Sequence, residues 1–159
     1  SPKAEFANLE IIIRQQKAMG WKLLNIEHDI LHHKGDSIAL IGVENDGEPP
    51  FSQFADLPQA MQGTEGMFQI LLSHNPTHWR REVLPRSDIS LMLAGHTHAM
   101  QGILFGHSLA ELIYPEWRGM YYEGKRALYV IIGIGYVGLP FRFGAWPEIT
   151  VLKLVREKE

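Results

Sequence analysis

Apolar positions at the start of the chain recur at helical spacing. Phe6, Leu9, Ile12, Ile13 and Met19 share one face of a helix over Ala4–Met19, and Gly20 offers it a natural stop. The period then changes. Trp21–Ile26 predicts a short strand, and Asp29–His33 with Ser37–Val43 predicts two strands turning at Lys34-Gly35-Asp36. Residues 44–53, rich in Asn, Asp, Gly and Pro, predict a loop. A short helix follows over Asp56–Gln62, then a buried strand over Met67–Leu72 in which only Gln69 is polar.

Asn75 suits a helix N-cap and Pro76 the first turn, so the next helix runs through Trp79 to Leu84. Ile89–Ala94 predicts another apolar strand, ending at Gly95. The remainder predicts strands over Gly119–Glu123, Arg126–Gly133 and Glu148–Val155, with a turn at Gly124. Helix and strand patterns alternate early and strands dominate late. The expected fold class is therefore α/β, with the chemistry on loops at strand ends.

Composition narrows the function classes. The chain has 159 residues, 15 Lys+Arg against 18 Asp+Glu for a formal net charge of −3, and no cysteine. That length suggests one domain, and the absent thiol excludes disulfides, zinc ribbons, iron–sulfur clusters and a cysteine nucleophile. A pI near 6.2 with no basic run argues against a nucleic-acid surface. The uncharged stretch Ala127–Phe141 is shorter than the ~20 residues of a membrane span and carries Gly and Pro, so no membrane segment is expected. The start, SPKAEF, has neither a signal peptide nor an initiator Met, which suggests a piece of a longer protein.

Eight histidines then become the notable feature, because a metal site without thiolates must use His, carboxylate or amide ligands. His74 stands at the mouth of one apolar strand in FQILLSHNPTHW, and His96 and His98 at the mouth of another in ISLMLAGHTHAMQ. If those strands are neighbours, three imidazoles converge at the sheet edge, where Gly95 lets the backbone turn and a metal approach. His78 follows His74 by four residues, but His74 precedes the cap, so helical spacing does not join them. It is expected to support the site from behind. His28, His32 and His33 fall in a hairpin, the last two facing opposite ways, and His107 has no supporting neighbours. Tyr114, Trp117, Tyr121 and Tyr122 read as a packed β edge or, alternatively, as a substrate wall.

Ser73-His74-Asn75-Pro76 and Gly95-His96-Thr97-His98 resemble the last two metal-binding motifs of the calcineurin-like metallophosphoesterases. The tail, RALYVIIGIG followed by GYVGLPFRFGAWPEITVLKL, is similar to the end of a bacterial branch whose catalytic domain often follows membrane-spanning segments. Ala99-Met100-Gln101 departs from the commoner form, which has two glycines before Gln. The resemblance implies a four-layer αββα sandwich, with His74 and His96 on one metal and His98 on the other. Asn75, Gly95, Thr97 and His78 would line or support that loop cluster. It further implies two divalent ions (Mn, Zn, Fe, Ni or Co), a phosphate mono- or diester as substrate, and attack by metal-activated hydroxide.

The family's earlier motifs are missing. Asp-x-His fails at Asp29, followed two places on by Leu31. Gly-Asp-x-x-Asp fails at Gly35-Asp36, where Ala39 takes the second Asp position. Gly-Asn-His fails at Asn45-Asp46 and Asn75-Pro76. Residues 1–159 are thus expected to be the later portion of one catalytic domain, lacking the bridging carboxylate and the general-acid His. Three neutral imidazoles do not offset two dications, so partial or no metal occupancy and no turnover are expected of the chain alone. The parent protein would be membrane-anchored, while this portion would be soluble and self-associate through the face left by the missing half. A mononuclear three-His zinc hydrolase and a non-catalytic binding module are the alternatives.

Overall fold

The structure is a computed structural model that describes residues 2–156, with side chains from residue 8 onward; the expected apolar position Phe6 therefore lies outside the described side chains. Helix α1 (Pro2–Ala18) stops just before Gly20, as its spacing dictates. Its apolar stripe is poorly covered: Leu9 and Ile12 are each 50% exposed. The hairpin forms as expected from β1 (Glu27–His33) and β2 (Asp36–Gly42), paired antiparallel from Glu27–Gly42 to His33–Asp36. Trp21–Ile26 forms no strand. This segment crosses over the face of β2 at its end, where a Cβ on Gly42 would lie 2.3 Å from the Leu24 carbonyl oxygen, while both hydrogen-bonding edges of β2 are taken by β1 and β3.

Asp56 caps α2 (Leu57–Met61) by accepting the Gln59 amide at 3.0 Å. Strand β3 (Phe68–Leu72) then pairs parallel to β2, and β4 (Leu91–Ala94) parallel to β3. Between them, Asn75 Oδ1 accepts from the Thr77 amide at 3.1 Å, a cap-like bond. The helix proper starts later than expected, as a π-helical turn over Trp79–Val83 that continues into α3 (Leu84–Arg86). Strands β5 (Gly119–Glu123) and β6 (Arg126–Val130) form a second hairpin, with β6 parallel to β4.

The result is one mixed six-stranded sheet in the order β1-β2-β3-β4-β6-β5. The four inner strands run parallel, so the carboxyl ends of β3, β4 and β6 open on the same edge. Ladder partners Ile41, Leu71, Met92 and Leu128 cross one face as a fully buried row. Trp79, Val83, Leu57 and Ala60 join them in the main core. Because side chains alternate along a strand, Leu40, Phe68, Leu72 and Leu93 point to the opposite face, which is only partly covered. This is the expected α/β class. Among the described residues a single sheet is present, the second sheet of the four-layer arrangement not being formed.

Residues 148–155 form no ladder, contrary to their alternating pattern. The Glu148 amide donates to the Gly133 carbonyl at 3.1 Å, and beyond that point side chains hold the segment: Thr150 Oγ1 lies 2.9 Å from the Tyr129 hydroxyl, which also donates to Glu148. Ile149 and Val151 are 86% and 90% exposed. An alternating segment is a strand only when a neighbour supplies the hydrogen-bonding edge, and here none does.

Candidate metal centre

Parallel pairing of β3 and β4 places their following loops side by side. His74 Nε2 faces His96 Nδ1 at 3.2 Å, with ring centroids 5.1 Å apart. Two ligand nitrogens on one tetrahedral zinc, each at about 2.0–2.1 Å, stand roughly 3.3 Å apart, so this pair fits a shared divalent cation. Burial holds the His74 pKa below the ordinary histidine value, with the charge of His98 acting in the same direction. His96 is lowered by burial and then by its two histidine neighbours. Both are therefore neutral imidazoles near pH 7, the state in which the ring is a ligand.

His98 stands apart from this pair. Among the described residues, the three rings do not bring a nitrogen each within 4.8 Å of one another. His98 Nδ1 instead meets Arg142 Nη2 at 3.1 Å, and Gly133 lies beneath the ring. Burial and the Arg142 charge lower its pKa, partly opposed by a hydrogen bond to the Gly135 backbone. Two of the three expected ligands are thus assembled, and the third is close enough to affect them electrostatically. No carboxylate joins the His74–His96 pair within that distance among the described residues.

The residues expected around these histidines make distinct contacts. Thr97 Oγ1 donates to the Trp117 carbonyl at 2.7 Å, tying the β4 loop to the approach of β5. Asn75 is buried beneath Gly47, where a Cβ would fall 2.6 Å from its Nδ2. Gly95 is not sterically required, since a Cβ there would meet nothing closer than 3.8 Å. The conformational demand lies further on. His96, His98, Ala99, Met100 and Gln101 all have φ between 44° and 71°, the left-handed region that L residues with a Cβ avoid. Ala99 and Met100 hold the two positions where the commoner form has glycine, so the departure from that form sits on the strained turn itself.

A second cluster, invisible to motif reading apart from His78, braces the first. His78 is fully buried; its Nδ1 lies 2.9 Å from Ser73 Oγ, and its Nε2 lies 3.0 Å from Glu82 Oε2 and 3.1 Å from Asp46 Oδ2. These three donors could hold a cation. Arg81 already pairs with Asp46, however, so a side-chain cation closes the network. Burial lowers the His78 pKa, with Glu82 pulling it back. The i,i+4 spacing of His78 and Glu82 was legible in the sequence, whereas nothing linked Asp46 to them. The other histidines are elsewhere. His28 contacts the Ala60 carbonyl, His32 contacts Ser37 and His33 is exposed, all on β1, while His107 pairs with Glu111 at the surface. Of the aromatic group, Tyr114 is buried against His96, Tyr121 accepts backbone amides of Trp117 and Arg118, and Tyr122 is exposed.

Comparison with known proteins agrees with the family resemblance. The chain is 35% identical over 133 residues, 82% of its length, to a Bos taurus protein named transmembrane protein with metallophosphoesterase domain. It is 42% identical over 103 residues, 62% of its length, to the Danio rerio protein of the same name. An uncharacterized metallophosphoesterase of Bacillus subtilis is 39% identical over 98 residues, 57% of the chain. These matches cover 26%, 23% and 32% of the relatives, so the chain spans a quarter to a third of their length. The likeness is not confined to a bacterial branch, since vertebrate proteins share it. No family model matches the chain, and no solved structure does. With these relatives sharing most of its length and a sheet that sets the His74 and His96 loops together, the chain belongs to the calcineurin-like metallophosphoesterase superfamily.

Proposed function

We propose that this chain contributes the histidine side of a two-metal site that hydrolyses phosphate mono- or diesters. His74 and His96 would hold one divalent ion and His98 the other, with the remaining ligands, including a bridging carboxylate, coming from residues outside this chain. The observation that carries the reading is the pair of ring nitrogens facing each other at 3.2 Å across the mouths of adjacent parallel strands. Bound ions would supply Lewis-acid charge and activation of the attacking water. The chain's own residues position the ligands, keep the imidazoles neutral and fix the turn that carries them.

On this reading the chain alone has no turnover. Metal content by mass spectrometry, combined with hydrolysis of a generic phosphodiester such as bis(p-nitrophenyl) phosphate, tests it. Weak or substoichiometric metal and no hydrolysis are expected. Turnover by this chain alone would favour a mononuclear three-His site, and a metal-free chain with a stable protein partner would favour a binding module. The vertebrate relatives are named transmembrane proteins, and we place the whole protein likewise at a membrane. No helix among the described residues is long and apolar enough to cross one.

The half-covered face of the sheet and the unpaired segment 148–155 support the domain reading. In a two-sheet sandwich both would be covered. In the isolated chain they form an apolar surface that favours self-association. Sedimentation velocity over a concentration series should show reversible association. A chain that remains strictly monomeric at the highest attainable concentration would count against this surface being an unfilled interior.

A further inference from the structure

We propose that Tyr114 is the positioning residue for His96, its hydroxyl holding the Nε2 side of the ring so that Nδ1 is presented to a divalent cation shared with His74. The proposal rests on the reading of His74 and His96 as ligands. Tyr114 is 8% exposed, and its hydroxyl lies 3.0 Å from His96 Nε2, its one hydrogen-bond partner among the described residues. The His96 ring is held on two sides. Tyr114 packs against it edge-on at 5.6 Å between centroids, and Phe51 does so at 4.7 Å. With the ring clamped, the remaining variable is which nitrogen carries the proton.

Tyr114 is itself anchored to the loop it serves. It follows the short helix Leu109–Leu112, which Ser108 and Glu111 cap reciprocally, and its amide bonds to the Ala110 carbonyl at 2.8 Å. Ser108 Oγ also donates to the Ala99 carbonyl at 2.7 Å, inside the left-handed turn after His96. Movement of that turn and movement of Tyr114 are therefore coupled.

The chemistry explains why a hydroxyl suits this position. A neutral imidazole has one N–H. Without a cation, the Tyr114 O–H can donate to His96 Nε2 while His96 Nδ1–H donates to His74 Nε2, which pairs both ring nitrogens of His96. A cation on the Nδ1 lone pair would require the other tautomer: the Nδ1 proton would pass to solvent and one from solvent would be bound at Nε2, so that His96 stays neutral. The Tyr114 hydroxyl oxygen would then accept the Nε2–H. A carbonyl could serve only the second arrangement. Outer partners of this kind orient a ligand, and their loss typically lowers metal affinity about 10–100-fold.

The test uses this chain with isotope-labelled histidine, zinc as the only added metal, and the Tyr114→Phe variant. Long-range nitrogen NMR reads the His96 tautomer, and isothermal titration reads zinc affinity. In zinc-saturated wild type, His96 should carry its proton on Nε2. In metal-free Tyr114→Phe, the His96 ring nitrogens should shift while those of His107 stay put, and zinc should bind about 10–100-fold more weakly. Coordination of zinc through Nε2 in the wild type would overturn the proposal without reference to the variant. So would a Tyr114→Phe chain whose dispersed amide spectrum matches wild type while its His96 signals and zinc affinity are unchanged. If zinc perturbs neither His74 nor His96 in wild type, the ligand reading falls. The metal-free comparison still decides whether Tyr114 sets the ring.

Discussion

His78→Ala is expected to lower the stability of the chain by about 3 kcal/mol, enough to drop its melting temperature by roughly 6–12 °C for a domain of this size. The effect comes from what the substitution leaves behind. His78 is fully buried between Ser73, Asp46 and Glu82. Deleting the ring opens a cavity and strips a partner from two carboxylates, one of them almost completely buried. Arg81 still pairs with Asp46 and Arg86 lies 3.8 Å from Glu82, which keeps the loss from being larger. His107→Ala, at an exposed ion pair, should cost less than about 0.5 kcal/mol. Thermal unfolding of the two variants decides the matter, and a His78→Ala chain as stable as His107→Ala would show that the network contributes nothing net.

The same residue gives the stability a pH dependence of fixed sign. Burial holds the native-state pKa of His78 below the ordinary value of 6.5. Below pH 6.5 the unfolded chain therefore binds more protons than the folded one. The contribution is complete above that pH and is lost as the pH falls toward the depressed native value. His78→Ala should flatten this acid slope without abolishing it, because His74, His96 and His98 are shifted the same way. A chelator added at neutral pH distinguishes the closed ion network from an occupied metal site. It should leave the wild-type melting temperature unchanged, whereas a drop absent from His78→Ala would mean that Asp46, His78 and Glu82 hold a cation.

What the sequence disclosed followed from how local each signal is. The hairpin, α2 and the strands leading to His74 and His96 are governed by short-range periodicity and turn chemistry, and they form where the pattern puts them. The segments 21–26 and 148–155 carry strand-like composition yet join no ladder among the described residues, because a ladder depends on an edge supplied from elsewhere. Convergence of His74 and His96 required only that β3 and β4 be neighbours. The separation of His98 required knowing that the turn over 98–101 is left-handed and that Arg142, distant in sequence, would meet its Nδ1. The pairing of Asp46 with His78, and of Tyr114 with His96, was unreadable for the same reason. Each reaches its histidine across a gap of 32 or 18 residues that no periodicity spans.

Substitution of the strand-end histidines should then separate two functions that the motif alone would lump together. In this chain, His74→Ala and His96→Ala should each lower zinc affinity by more than the 10–100-fold typical of a lost outer partner, since each removes a ligand nitrogen from the facing pair. His98→Ala should leave that zinc binding near the wild-type level, because its ring stands apart on Arg142. In a polypeptide that also carries the remaining ligands, the distinction should vanish. His96→Ala and His98→Ala would each remove one ligand from one of two ions that act together, and Mn²⁺-dependent phosphodiester hydrolysis should be abolished in both. His32→Ala, on the edge strand, should retain near-normal hydrolysis. Full activity in His98→Ala would remove it from the site, whereas loss of zinc by the isolated His98→Ala chain would mean that all three imidazoles close on one ion.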